Sequence, residues 1–248
     1  MRNLVLEIMY DGRNYHGYCR QPGLPTVQAE IEKALFKLTG KKIGVTGAGR
    51  TDAGVHAEGQ VVNFKTESKL PLMRIKAGLN AYLPTDIRII KSKAVAEAFH
   101  ARFSAKAKRY IYSIFEGDLV PYFLVPFTYR IRPGIDLKKL KRAAMAFTGK
   151  HNFTAFASEA AKRNPVKTIY TISVRTKKYK LGRLIELEFV GNGFLYKMVR
   201  HLVGAMIEVG KGKVKLSVIK KNLKTPGKVR IGKTVPGHGL RLSEVIYK

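Results

Sequence analysis

Gly47-Ala48-Gly49-Arg50-Thr51-Asp52-Ala53-Gly54-Val55-His56-Ala57 is the stretch on which the reading of this chain turns. Three glycines within eight residues permit tight turning and close approach of backbone to a ligand. As a phosphate loop the run fails. Its glycine spacing matches neither the dinucleotide fingerprint nor a Walker A sequence, and an aspartate in mid-loop repels phosphate. As a surface turn it is ordinary, because Asp and Gly are common turn residues. What surrounds the run points to chemistry.

The 248 residues hold 47 Lys plus Arg against 17 Asp plus Glu, a formal net charge of +30. Such an imbalance costs stability through self-repulsion and calls for a polyanionic partner, for which nucleic acid is the natural candidate. A Lys-rich hyperthermophile surface is normally Glu-rich as well, since ion-pair networks need both signs. A membrane-surface protein would carry a basic amphipathic helix, and none is visible. In so basic a chain, a carboxylate kept two residues from Arg50 weakens phosphate binding, so Asp52 should have a task. The single cysteine, Cys19, excludes an intramolecular disulfide and fits a reducing cytoplasm. Met1-Arg2-Asn3-Leu4-Val5-Leu6-Glu7 reads as a strand, not a signal peptide. No uncharged apolar run approaches the roughly 18–20 residues that cross a bilayer. The expectation is a soluble cytoplasmic protein without membrane association.

Outward from the loop, periodicity gives alternating strands and helices. Leu4, Leu6, Ile8 and Tyr10 mark a strand ending at Asp11-Gly12. Val27, Ile31, Ala34, Leu35 and Leu38 fall at helical spacing, with Thr26 as N-cap and Gly40 as stop. Strands near 58–65 and 86–95 flank a helix from Pro71 to Tyr82. Further on, Tyr110, Tyr112 and Ile114 share a strand face, and Leu137, Leu140, Ala144 and Phe147 form a helix stripe that Gly149 could end. Tyr170, Ile172 and Val174 line one more strand, and Ile185, Leu187 and Phe189 another. A helix follows from Leu195 to Val209, then a short strand near Val245 and Tyr247. In that helix Lys197, Arg200, His201 and Gly204 form a second stripe beside the apolar one. The pattern predicts two similar α+β halves, 1–104 with the aspartate loop and 105–248 with the later helices and much of the basic surface. The joint near His100-Ala101-Arg102-Phe103-Ser104 lacks a Pro/Gly/Ser linker, so the halves are expected to pack on a shared sheet.

Other chemistries find little support. Six histidines are scattered without zinc spacing, and one cysteine cannot build a thiolate cluster. There is no nucleophile elbow, and the acids are too few for a two-metal nuclease. No metal and no cofactor are expected.

Gly49-Arg50-Thr51-Asp52-Ala53-Gly54-Val55-His56-Ala57 resembles the signature of tRNA pseudouridine synthases of the TruA type. Similar blocks follow in order. They are Tyr10-Asp11-Gly12, Gly17, Arg20-Gln21 and Thr26-Val27-Gln28, then Lys108-Arg109-Tyr110-Ile111-Tyr112, and Gly193 through Arg200 with Val203-Gly204. Gly239-Leu240 with Leu242, Val245 and Tyr247 completes them, so the resemblance spans nearly the whole chain. Tyr18-Cys19 depart from it, standing where such proteins commonly carry Trp-Gln.

The resemblance implies a pseudouridine synthase fold, α+β, with two similar halves around an antiparallel or mixed sheet and a central cleft. It implies a cofactor-free isomerase acting on uridines at positions 38 to 40 in the anticodon arm of tRNA, and a homodimer. Asp52 would be the catalytic carboxylate, Arg200 its ion-pair partner, and Arg50 a residue facing the RNA. Tyr110 would stack on the target uracil, with a hydroxyl able to collect the C5 proton. Leu240 would pack near the base and Lys197 would help bind substrate. On pattern alone Arg200 fits a solvated face equally well, Tyr110 a core sheet tyrosine and Leu240 ordinary core. Lys162, Arg163, Lys167, Arg175, Lys177, Lys178, Lys180, Arg183, Lys211, Lys213, Lys215, Lys220, Lys221 and Lys224 read as backbone contacts for tRNA. The alternative is a non-catalytic RNA-binding or ribosome-associated protein, which would share the basic surface but has no need of Asp52 beside Arg50.

Overall fold

Residues 1–158, 164–225 and 231–248 are described by a computed structural model, and they divide into two units, Met1–Lys106 with Arg241–Lys248, and Ala107–Leu240. Lys162 and Arg163, read from the sequence as RNA contacts, lie outside the described residues.

In the first unit the alternation from Leu4 to Tyr10 produces β1 (Arg2–Tyr10), with Leu4, Leu6 and Ile8 fully buried. β1 is central, pairing antiparallel with β3 (His56–Thr66) on one side and β4 (Ile87–Val95) on the other. The two-residue β2 (Thr46–Gly47) adds to β3. Helix α1 (Val27–Thr39) buries Val27, Ile31 and Leu35, the stripe that its spacing announces. It stops at Gly40, whose φ of 68° is the left-handed conformation that a residue without Cβ adopts cheaply. Thr26 occupies the N-cap position, but its hydroxyl makes no capping bond. The first helical N–H groups are met by backbone instead, Val27 N–H donating to the Gly17 carbonyl at 3.3 Å and Gln28 N–H to the Tyr18 carbonyl at 2.9 Å. Helix α2 (Leu72–Tyr82) faces inward with Ile75 and Leu79.

The second unit is built on β5 (Ala107–Glu116), joined by β6 (Tyr129–Ile131), α3 (Leu137–Phe147), β7 (Gly149–Asn152), β8 (Val166–Tyr179), β9 (Gly182–Gly191), α4 (Met198–Gly210) and α5 (Leu216–Lys224). Its strands run in the order β5-β9-β8-β7, all antiparallel, with β6 parallel to β5. Tyr110, Tyr112 and Ile114 stand opposite Phe189, Leu187 and Ile185, and all six side chains are buried. Such cross-strand apolar pairs are the stabilising unit of a sheet. On β8 the expected face fails at Tyr170, which is half exposed. The register slips between Ile169 and Thr171, and a one-residue slip turns side chains to the other face, so Ile169 is the buried residue. Asp136 caps α3 by accepting from the N–H groups of Lys138 and Lys139.

Helix α4 begins at Met198, later than the Leu195 expected, because Lys197 sits at φ 60° and breaks the helical path. The helix is buried on nearly every side. Gly204 explains one contact. A Cβ there would lie 2.1 Å from the Lys233 carbonyl oxygen, and one at Gly232, whose φ is 75°, would lie 2.9 Å from the Gly204 oxygen. The segment around Lys233 therefore crosses α4 at van der Waals distance of its backbone. Helix α5, unforeseen, buries only Ile219, Asn222 and Leu223. Its short stripe is masked in sequence by the lysines around it. The C-terminal strand β10 (Leu240–Ile246), counted from the sequence with the second half, pairs parallel with β3, Arg241 opposite His56 and Leu242 opposite Ala57.

Exchanging glycine for alanine inside a helix ordinarily stabilises by about 1 kcal/mol. Gly204→Ala should do the reverse, losing roughly 1–3 kcal/mol through overpacking. Thermal unfolding should fall by several degrees, and an unchanged or higher midpoint would contradict the crossing.

Candidate active site

The aspartate loop is fixed in the first unit by groups that the sequence places far from it. Ala48 N–H donates to the Val61 carbonyl at 2.8 Å, and the Gln60 side-chain amide donates to the Gly49 carbonyl at 2.8 Å. Thr51 is buried, its hydroxyl 2.9 Å from the hydroxyl of Tyr10 and its carbonyl accepting from Tyr18 N–H at 3.1 Å. Burial pushes the Tyr10 phenol up to about 12, so it stays neutral and hydrogen-bonding at any working pH. Asp52 opens a turn closed by Val55 N–H donating to the Asp52 carbonyl at 3.1 Å, with Gly54 at φ 75° in the position where a type II turn requires positive φ. The result leaves Asp52 half-buried and Arg50 exposed.

The N-terminal block and this loop touch without room for side chains. A Cβ on Gly12 would lie 2.0 Å from the Val55 oxygen, and one on Gly17, whose φ is 92°, would lie 2.6 Å from the Thr51 oxygen. A Cβ on Gly47 would meet the Tyr18 ring at 2.5 Å. The atypical Tyr18 is thus the ring on which the loop's first glycine rests, and it is 2% exposed. Beyond the turn, His56 Nδ1 lies 3.2 Å from both Gly12 N–H and an Asp11 carboxylate oxygen. The neutral ring accepts from the amide, and the protonated ring donates to the carboxylate. Burial pushes the Asp11 carboxyl up, but hydrogen bonds from Arg13 and the His56 charge outweigh it and hold the group below its usual range.

The second unit carries the other expected residues. Tyr110 is 7% exposed on β5, and its ring meets Phe194 edge-on at 5.2 Å. Arg200, half-buried in the first turn of α4, donates through Nε to the Val235 carbonyl at 2.8 Å. Tyr112 donates to the Pro236 carbonyl at 2.9 Å, and Gly239 packs so closely on that ring that a Cβ would lie 2.7 Å from Cζ. Burial raises the Tyr112 phenol against the opposing pull of the Arg200 charge. His238 moves down through burial and the Arg200 charge, against a hydrogen bond to the Thr128 backbone. Arg200, Tyr112 and His238 therefore share one electrostatic neighbourhood, and Leu240, 6% exposed, follows directly on Gly239. Lys197 holds its ammonium over the exposed ring of Tyr196 at 4.9 Å.

Sequence reasoning did not single out Tyr112, Phe194 or His238 as neighbours of these groups. Tyr112 was signalled by sharing a strand face with Tyr110, and His238 by preceding Gly239-Leu240. One basic residue has a structural task. Arg183 pairs through Nε with the buried Glu116 carboxylate and donates to the Ile135 carbonyl at 2.7 Å. Among the described residues no group of three His, Cys, Asp or Glu could hold a metal ion, and no helix is long and apolar enough to cross a membrane.

The chain matches the family model described as tRNA pseudouridine synthase over residues 8–104 and 143–248. It is 43% identical over 248 residues to tRNA pseudouridine synthase A of Acetivibrio thermocellus, with all of both chains covered. The protein of that name from Clostridium kluyveri is 40% identical over 248 residues, and that from Thermodesulfovibrio yellowstonii is 39% identical over 254, again with both chains fully covered. With the aspartate turn and the Arg200 helix inside the segments that the family model matches, and the whole chain aligned to these relatives, the chain belongs to the tRNA pseudouridine synthase family.

Proposed function

We propose that this protein converts uridine to pseudouridine at positions 38 to 40 in the anticodon arm of tRNA, with Asp52 as the reacting carboxylate, and that it works as a cytoplasmic homodimer. The observation that carries the reading is the Asp52 turn. It is held by backbone and buried hydroxyl contacts while Asp52 itself remains partly accessible, one residue beyond a buried threonine and two beyond an exposed arginine. A carboxylate ordered at such effort in a chain of net charge +30 suits reaction rather than phosphate binding.

The chemistry is an exchange of bonds on one nucleotide. The N1–C1′ bond breaks, the uracil turns, C5 joins C1′, the C5 hydrogen leaves as a proton and N1 gains one. No electron is transferred. Whether Asp52 adds to C1′ or removes a sugar proton, it acts in its ionised form, and a cation nearby favours that form. Arg200 is the residue proposed to supply that charge. Tyr110 provides the aromatic face for the uracil, and its hydroxyl takes the C5 proton. Leu240 packs against the base, Arg50 faces the RNA, and Lys197 contacts substrate. The target uridine must leave its stack to be reached, so base flipping is part of the reading.

Asp52→Asn should abolish tritium release from tRNA labelled at uridine C5, with tRNA affinity within several-fold of wild type, because affinity resides in the basic residues. Pseudouridine formed by a clean Asp52→Asn preparation would overturn the mechanism, and release of no tritium by the wild type would favour a binding protein.

Tyr110→Phe and Tyr110→Ala separate two roles. Alanine should cost about ten- to a hundred-fold or more in single-turnover rate through lost stacking, worth roughly 1–3 kcal/mol. Phenylalanine keeps the ring, and its expected defect lies in tritium release more than in cleavage at C1′. Full activity in Tyr110→Phe would remove the proton role, and full activity in Tyr110→Ala would remove the residue from the active site.

A further inference from the structure

Phe103 is an aromatic ring left in solvent on a segment that is otherwise firmly held. It is 75% exposed, while the adjoining Ala101 is fully buried. Ala101 N–H donates to the Asn63 side chain at 2.8 Å, and the Ala101 carbonyl accepts from the Tyr247 hydroxyl at 2.8 Å. The turn around it is tight. His100 Nδ1 faces the N–H groups of Arg102 at 3.1 Å and Phe103 at 3.3 Å, and the Ser104 hydroxyl accepts from His100 N–H at 3.1 Å. Exposure here does not come from a loose loop, because the backbone on the N-terminal side of the ring is tied to β3 and to the C-terminal residues of the unit.

The groups next to the ring are cationic or aromatic. The His100 ring lies 4.3 Å from it, centroid to centroid, at 32°, and the exposed Arg102 guanidinium lies over it at 5.5 Å. His100 also lines a groove in which Lys42 and Lys65 stand, Lys65 being paired with Glu97. We propose that Phe103, with His100 and Arg102, is a stacking platform for an unpaired base of the tRNA substrate, with Arg102 and Lys42 taking the adjoining phosphates. Every base presents a π-face, so a fixed aromatic ring accepts one without regard to sequence. A guanidinium beside it adds attraction for the ring and for phosphate together. Fixing the ring in advance removes the ordering cost that a mobile side chain would incur on binding. The exposed apolar residues Tyr122, Phe123, Val125 and Phe127 differ on this point, since the run from Leu119 to Phe127 contains no charge to meet a polyanion.

The protein contains no tryptophan, so Phe103→Trp introduces a single fluorophore at the proposed contact. Its emission should be quenched saturably by tRNA, with the midpoint of tRNA binding measured independently. Phe103→Ala should weaken tRNA binding by roughly five- to a hundred-fold, with Phe103→Tyr restoring it. The single-turnover rate at saturating tRNA should stay within about twofold, because the ring is remote in role from the reacting atoms. Arg102→Ala should weaken binding and lower the salt slope by about one. Unchanged emission in Phe103→Trp while tRNA binds would overturn the platform, as would unchanged affinity in Phe103→Ala. Emission that shifts with protein concentration in the absence of RNA would assign the ring to contact between copies and overturn it equally. Tritium release by the wild-type protein, run alongside, separates failure of this contact from failure of the enzymatic reading.

Discussion

The buried contact between Tyr10 and Thr51 is the constraint from which the geometry of the Asp52 turn follows. Two hydroxyls at 2.9 Å, both on buried residues, join the end of β1 to the residue before Asp52, with the Gln60 side chain a second partner of Tyr10. Leaving one of them without its partner would cost about 1–3 kcal/mol. The chain arranges several features around this contact. Gly12 and Gly17 allow the N-terminal segment to lie directly on the Thr51 and Val55 carbonyls, and Tyr18 both donates to Thr51 and supports Gly47. The same segment satisfies the first N–H groups of α1, which is why Thr26 need not cap that helix with its hydroxyl. The turn that presents Asp52 is therefore shaped by β1, α1 and β3 together, and little of its geometry is local to the loop.

The second unit solves a related problem by a different route. Arg200, proposed to supply the charge beside the reacting carboxylate, lies half-buried on a helix whose other sides are buried. Its Nε is fixed on the Val235 carbonyl, and that carbonyl reaches the helix because Gly204 lets the Lys233 backbone pass close by. The chain then runs through Pro236, which accepts from Tyr112, to Gly239, which packs on the same ring, and to Leu240. Tyr112 thus links the strand that carries Tyr110 to the segment that carries Leu240. A substitution at Tyr112 would disturb both without touching either.

Much of this was legible in the sequence because the signals were periodic or compositional. The alternation in β1, the stripe of α1 and the paired faces of β5 and β9 rest on burial, which periodicity reports directly. The proposal for Asp52 rests on charge scarcity and on a long motif. What escaped was set by tertiary contacts. The bulge that turns Tyr170 outward depends on how β8 meets β9, and the late start of α4 depends on a left-handed Lys197. The pairing of β10 with β3 joins residues far apart in sequence, and no local pattern announces it. Arg183 reads in the sequence as one more contact for tRNA, and only the fold brings Glu116 beside it. Glycines were visible as motif letters, but their reason, contact with specific carbonyls, appears only in three dimensions.

If the Asp52 turn is held in its working geometry by the Tyr10–Thr51 contact, its removal should act on rate rather than on RNA affinity. The direct measurement is single-turnover pseudouridine formation at saturating tRNA for Tyr10→Phe, Thr51→Val and the double variant, with tRNA dissociation constants taken in parallel. Misplacement of a reacting group by about 1 Å can cost on the order of a hundred-fold. The account predicts a fall of about ten-fold or more in each single variant, affinity within about two-fold of wild type, and a double variant no slower than the singles, as expected for two groups acting through one contact. A wild-type rate in Tyr10→Phe, or losses that multiply in the double variant, would contradict it.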